Sequence, residues 1–310
     1  MISLSYLILN FVFAFLIAKP VIKFLKDRKS IQIFRERGPK SHIDEKSGTP
    51  TIGGVIFLVP FFFTCFYLFY LFHDKSILLI FMAFFLGFLM GFVDDFMKVM
   101  QKNYAGLNSV SKLFIQFFVS AIIVYFLNND ASYLEYIWAF IVIAGTSNAF
   151  NLTDGLDGLC SGISVISFLS LGIFLFALGS ISSYLMALSL VAGLLAFLIF
   201  NKNPAQIFMG DTGSLSLGMG LGAMAYIYDL EWYLLAFAFI PLIEALSVIL
   251  QVSSAKLSRA FLNKDIRPFK MAPLHHHFEL SGMKETSVVP LFWIIQLIVS
   301  IVVLFLTLPR

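Results

Sequence analysis

SILLIFMAFFLGFLMGFVDDFMK, Ser76–Lys98, is the stretch that decides the fold: an apolar run long enough to cross a bilayer ends at two adjacent carboxylates. About 20 apolar residues in helical conformation span the hydrocarbon layer. The run does not alternate polar with apolar residues as a barrel strand does. A helix is then the way for its backbone to satisfy its own hydrogen bonds in lipid. The same ruler laid along the chain finds ten apolar segments, at residues 2–22, 51–72, 76–93, 112–128, 134–150, 159–178, 183–200, 214–229, 232–252 and 288–308. The expectation is an all-α polytopic membrane protein with about ten transmembrane helices, folded as a single integral-membrane domain over residues 1–310.

Composition agrees. Of 310 residues, 59% are hydrophobic and 13% charged, too few charges to coat a soluble globule of this length. The net charge of +3 comes from basic residues in the connections, not from one soluble face, which speaks against nucleic acid as a partner. Cys65 and Cys160 lie inside apolar runs and read as small core hydrophobes, not as a disulfide or a thiolate metal site. The first run is followed by Lys19, Lys23, Lys26, Arg28 and Lys29 and has no basic residue before it, the pattern of a retained span rather than a cleaved leader.

Of the 21 Lys and Arg residues, all but Lys75 and Arg310 fall in or beside the odd-to-even connections. The positive-inside rule makes those connections cytoplasmic and both termini periplasmic. That one side collects Asp94, Asp95, Asp154, Asp157 and Asp211, together with His275, His276 and His277. Carboxylates are costly beside lipid, so their gathering on one face marks a candidate active site facing the cytoplasm.

Each polar break has its own chemistry. In GFVDDFMK, Lys98 follows Asp95 by three residues, so it can neutralise that acid or reach an anionic ligand that a metal also touches. In NAFNLTDGLDG, Asn148, Asn151, Asp154 and Asp157 recur every third residue and would line one helix face, while Gly155 and Gly158 let a ligand approach the backbone; helix capping is the competing reading. FMGDTGS places Asp211 between Gly210 and Gly213, just before a span beginning near Ser214, where amide groups can face phosphate while Asp211 holds a cation. Few carboxylates with phosphate oxygens and water is the usual environment of Mg²⁺. Three successive histidines point in different directions and rarely close on one ion, so phosphate contact or proton handling suits them better. Gly38–Gly54, GPKSHIDEKSGTPTIGG, carries Lys46, Thr49 and Thr51 and can meet nucleotide oxygens without being a Walker loop. Glu244, three residues after Pro241, reads as a structural group that satisfies freed backbone or a neighbouring helix.

In order and spacing, GPKSHIDEKSGTPTIGG, GFVDDFMK, NAFNLTDGLDGL, FMGDTGS and PLHHHFELSG resemble the phospho-N-acetylmuramoyl-pentapeptide transferase family (translocase I, MraY), within the polyprenyl-phosphate N-acetylhexosamine-1-phosphate transferase superfamily. The resemblance covers nearly the whole chain. It implies a Mg²⁺-dependent enzyme of the bacterial cytoplasmic (inner) membrane. Phospho-N-acetylmuramoyl-pentapeptide would pass from its UDP conjugate to undecaprenyl phosphate, giving lipid I and UMP for peptidoglycan synthesis, and hence for cell shape and division. It further implies Asp211 as metal ligand with Asp94 and Asp95 beside it, Asp94 as the group proposed to deprotonate the lipid phosphate, and His275 and His276 as catalytic. Lys46, Asp157, Asn201 and Phe208 would bind the uridine end. Thr51, Lys98, Asn151 and Asp154 would line the diphosphate and sugar, with Asn148, Gly210 and Ser214 in the same substrate region. A bent ninth span would guide the prenyl chain, and a homodimer is the implied assembly. Two departures stand out: Ile52 replaces the family's usual Met, and Ala255–Lys270 is longer than in many relatives. The rivals are a sibling that uses UDP-N-acetylglucosamine and a transporter, which would need acids near the bilayer centre, where Glu244 alone fits.

Overall fold

A computed structural model describes residues 2–28, 30, 48–101 and 106–308. Within them the chain is all helical, with twelve helices: α1 Ile2–Asp27, α2 Val55–Phe72, α3 Lys75–Gln101, α4 Ser109–Leu127, α5 Tyr133–Thr153, α6 Leu159–Ala177, α7 Ile181–Asn201, α8 Gly210–Ile227, α9 Leu234–Phe237, α10 Phe239–Leu262, α11 Leu274–Leu280 and α12 Glu285–Thr307. Ten of these have eighteen residues or more and correspond to the ten apolar segments. Eight are long and apolar enough to cross a membrane by composition alone. The protein is a polytopic membrane protein.

The two long helices that fall short of that criterion, α5 and α8, pack on each other beside the acids. Nearly every residue of α8 is buried, and it makes its most extensive contacts with α3 and α5. Small residues permit this approach, because helices in lipid gain contact mainly by bringing backbones close together. A Cβ added to Gly87 would lie 2.8 Å from Ser216 Cα, and one on Gly218 would lie 2.5 Å from the Thr146 carbonyl oxygen. Glycine and serine lower the hydropathy of α8, which costs nothing where no lipid touches it. Around this centre, α6 packs on α7, α1 and α2 pack on α7, and α12 packs on α6.

Helix boundaries correct the sequence reading in three places. The third span runs on to Gln101, so Asp94 and Asp95 sit inside α3 instead of ending it. The eighth begins at Gly210, four residues before Ser214. The ninth segment is broken: a 3₁₀ turn at Glu231–Tyr233 and the short α9 precede Ala238, and α10 then extends to Leu262. Pro241 occupies the first turn of α10, where its missing N–H is not needed. The backbone freed at the break is satisfied by buried Gln296 of α12, which accepts the Ile240 N–H at 3.0 Å and donates to the Ala236 carbonyl at 2.8 Å. Glu244 is therefore not needed for that task. It serves the neighbouring element α11 instead, accepting the His275 N–H at 3.2 Å.

Candidate active site

Close contact between α3 and the start of α8 builds the acidic centre. A Cβ on Gly91 would lie 2.0 Å from the Asp211 carbonyl oxygen, so only glycine lets the helices meet here. Asp95, buried in α3, then reaches the first turn of α8: its carboxylate accepts the N–H of Asp211 at 3.2 Å, the N–H of Thr212 at 2.9 Å and the Thr212 hydroxyl at 2.6 Å. This caps the positive end of the helix with negative charge. Gly210 adopts φ 72°, and a Cβ there would lie 2.4 Å from Asp95 Oδ2 and 2.7 Å from Thr51 Oγ1.

Asp94, fully buried, accepts the Leu107 N–H at 2.7 Å. Asp94, Asp95 and Asp211 each offer an oxygen, and these oxygens lie within 4.8 Å of one another. Among the described residues this is the only such cluster of potential metal ligands. Two ammonium groups hold it: Lys98 pairs with Asp94 and reaches Asp211 Oδ2 at 3.2 Å, and Lys112 lies 3.0 Å from Asp94 Oδ1 and 2.7 Å from Asp211 Oδ2. Lys98 thus contacts the acid one turn before it, not Asp95 as the sequence spacing suggested. Three carboxylates against two ammoniums leave negative charge to spare, and an all-oxygen donor set suits a hard divalent cation.

The polar stripe on α5 is real for two turns. Asn151 donates to Asp211 Oδ1 at 2.8 Å and to Ser214 Oγ at 3.1 Å, fixing the acid's orientation. Asn148, a turn deeper, donates to Gln116 Oε1 at 3.2 Å. The helix ends at Thr153, and Asp154 occupies the cap position. Its carboxyl accepts a hydrogen bond from the Gly210 backbone, and its pKa is pushed up to about 8, first by desolvation and then by the charges of Asp211, Asp95 and Asp157. Asp157 leaves the stripe altogether, accepting the Asn203 side-chain amide at 3.1 Å and the Ala205 N–H at 3.0 Å. The α8 terminus is likewise not open to phosphate, because Asp95 and Asp154 already take its first amides.

Residues Pro50–Gly54 run beside the segment leading into α8. Phe208 N–H donates to the Pro50 carbonyl at 2.9 Å, and Gly53 N–H donates to the Phe208 carbonyl at 2.9 Å. This places Thr51 and Phe208 at the rim of the acidic centre. Asn201 is buried, accepting from Ser161 at 2.7 Å and donating to the Ile207 carbonyl at 2.9 Å, so it braces the same loop. Lys46 lies outside the described residues.

The three histidines diverge. His275 is buried, with Nδ1 3.3 Å from Glu244 Oε2, and its ring fills the space beside Gly155, where a Cβ would lie 2.2 Å from Nε2. Gly155 therefore admits an imidazole from α11, not a ligand. His276 Nδ1 lies 2.8 Å from Glu279, and His277 Nδ1 accepts the Lys270 N–H at 3.1 Å.

Lys112 is the site residue that sequence reasoning missed. It lies in the first turn of α4, where Asn108 caps the helix by accepting the Ser111 N–H. A cation is disfavoured at that end by the helix dipole. That misplacement was the available signal.

Residues 77–229, from α3 through α8, match the model of glycosyl transferase family 4, a span that contains all five aspartates. A phospho-N-acetylmuramoyl-pentapeptide-transferase of Listeria monocytogenes serotype 4b (strain CLIP80459) is 41% identical over 97% of this chain and 98% of its own length. Proteins of the same name from Petrotoga mobilis and Thermotoga petrophila are 38% and 40% identical, over 96% and 95% of this chain and 96% of each relative. With such identity along essentially the full length, the chain belongs to the phospho-N-acetylmuramoyl-pentapeptide-transferase family.

Proposed function

We propose that the protein transfers phospho-N-acetylmuramoyl-pentapeptide from its UDP conjugate to undecaprenyl phosphate, with Mg²⁺, giving lipid I and UMP. The observation that carries this reading is the Asp94, Asp95 and Asp211 cluster with Lys98 and Lys112 bound into it. One substrate is water-soluble and the other lies in the membrane, which fits a charged centre at the end of a helix bundle. We place it at the cytoplasmic face of the bacterial inner membrane, from the distribution of basic residues.

Asp94 and Asp211 would hold the ion. Mg²⁺ there supplies neutralisation of charge that develops on the transferred phosphoryl group. Asp95 fixes the start of α8 and so the position of Asp211. Lys98 and Lys112 are spaced to turn from carboxylate to phosphate oxygens of the two substrates. A phosphate monoester is already largely anionic near neutral pH, so the acceptor needs alignment more than deprotonation. Asn151 keeps Asp211 in its rotamer. His275, held by Glu244 against Gly155, and His276 belong to the wall beside Asp154, where the sugar-side phosphate would lie.

The test uses purified protein with undecaprenyl phosphate and Mg²⁺, supplied in turn with UDP-N-acetylmuramoyl-pentapeptide and UDP-N-acetylglucosamine. UMP and a lipid-linked product are expected from the muramoyl substrate. Product from the glucosamine substrate alone, or from neither, overturns the proposal.

A further inference from the structure

Two lysines reach the acidic centre, and they are carried by unlike helices. Lys98 belongs to α3, which meets α8 backbone to backbone at Gly87 and Gly91. Lys112 belongs to α4, which has no glycine and buries only Gln116, Val119, Ser120, Ile123 and Val124. Leu113, Phe114, Phe117 and Phe118 are exposed on its outer side. α4 is therefore a peripheral helix that lies against the bundle by one narrow face, and Lys112 is the residue by which it enters the acidic centre.

Within that narrow face sits an amide where an apolar side chain would pack without penalty. Gln116 is fully buried, one helical turn beyond Lys112 on the same side of α4. Its Oε1 accepts the Asn148 side-chain amide of α5 at 3.2 Å, and its own Nε2 has no hydrogen-bond partner among the described residues. A buried amide hydrogen without an acceptor lowers stability, which a methionine or leucine here would avoid. Asn148 is committed in turn, donating to Gln116 and to the Ala144 carbonyl at 2.7 Å. The sequence resemblance put Asn148 in the substrate region, whereas the structure turns its amide to α4.

The contacts of α4 with its neighbours form two rungs of a ladder. In the outer rung Lys112 binds Asp211, which Asn151 holds from α5; in the inner rung Gln116 binds Asn148, three residues before Asn151. The outer rung opens whenever Lys112 leaves carboxylate for phosphate. The inner rung carries no charge to exchange, so it stays closed. We infer that Gln116 and Asn148 are a positioning pair for Lys112: their hydrogen bond pins α4 to α5 and keeps the ammonium at the phosphates once it has left the carboxylates. The inference rests on the transferase reading above. It accounts for an amide at a place where packing alone asks for hydrocarbon, since departures from the best packing gather at functional sites.

Gln116→Met keeps the length of the side chain and removes both the acceptor and the unpaired donor, so the unfolding temperature should move by less than about 3 °C. The kcat for transfer is expected to fall about tenfold while KM for either substrate stays within about threefold, the pattern of lost alignment in the transition state. Asn148→Leu should lower kcat likewise, and the two changes together should lower it no further than one alone. A second readout needs no turnover: the rate at which an amine-directed acylating reagent modifies Lys112 in the folded protein, with Lys98 as internal reference. In Gln116→Met the rate at Lys112 should rise about fivefold and that at Lys98 stay within about twofold. An unchanged kcat in folded Gln116→Met, an unchanged rate at Lys112, or Lys98 and Lys112 reacting faster together as in general loosening, overturns the inference. If wild-type protein forms no lipid-linked product, it is the transferase reading that fails, and the acylation rates still report whether Gln116 holds Lys112 in place.

Discussion

Asp95 and Asp211 are neighbours in one cluster, yet substitution should separate them. Asp211 spends its oxygens on Lys98, Lys112 and Asn151, groups that a cation and phosphate would replace. Asp211→Asn is expected to abolish Mg²⁺-dependent UMP release and any Mg²⁺-dependent rise in the unfolding temperature while the protein still inserts and folds. Asp95 instead accepts three hydrogen bonds from the start of α8. Asp95→Ala should lower stability by about 1–3 kcal/mol, seen as earlier thermal unfolding even without Mg²⁺. Asp154 adds a pH signature. With its pKa pushed up to about 8, the folded protein holds this proton more tightly than the unfolded chain does. The resulting stability is complete below the ordinary carboxyl value of about 3.9, declines as pH rises, and is lost beyond about 8. Asp154→Asn should remove that slope, which thermal unfolding from about pH 5 to about pH 9 without divalent cations would measure.

At the scale of elements, the contact of α3 with α8 decides whether the acids meet. Gly91→Ala places a methyl group where the Asp211 carbonyl oxygen lies. It should cost about 1–3 kcal/mol of stability and depress transfer sharply although no acid changes; unfolding and UMP release measured together would show both losses. The helices themselves were readable from sequence because apolar length is a strong signal, but their polar ends were not. Asp94 and Asp95 read as a terminus because hydropathy cannot show a helix that continues past a buried acid. The α10 segment beyond Val252 read as loop for the same reason: Lys256 and Arg259 end the apolar run while the helix continues to Leu262. The meeting of Asp211 with Asp94 was legible only as a shared side of the membrane. Their partner Lys112 looked like one more basic residue of a cytoplasmic connection, since its contact with Asp211 spans 99 residues of sequence.

For the whole molecule, the arrangement of long helices and the bias of Lys and Arg lead to one topological expectation. A reporter fused after Arg310 should lie outside the cytoplasm, and accessibility labelling of intact cells would read this directly. A cytoplasmic reporter would turn the acidic centre toward the periplasm, away from any nucleotide sugar. The enclosure of α8 by α3 and α5 bears on how such a protein is made. A segment this rich in glycine and serine, with an acid in its first turn, has little drive to leave the insertion machinery for lipid by itself. Its stable residence awaits partners with which to partition, and α3 and α5 precede it in synthesis. Catalytic competence is thereby tied to biogenesis: the residue proposed to grip the ion is carried by a helix that has no home until the bundle around it exists.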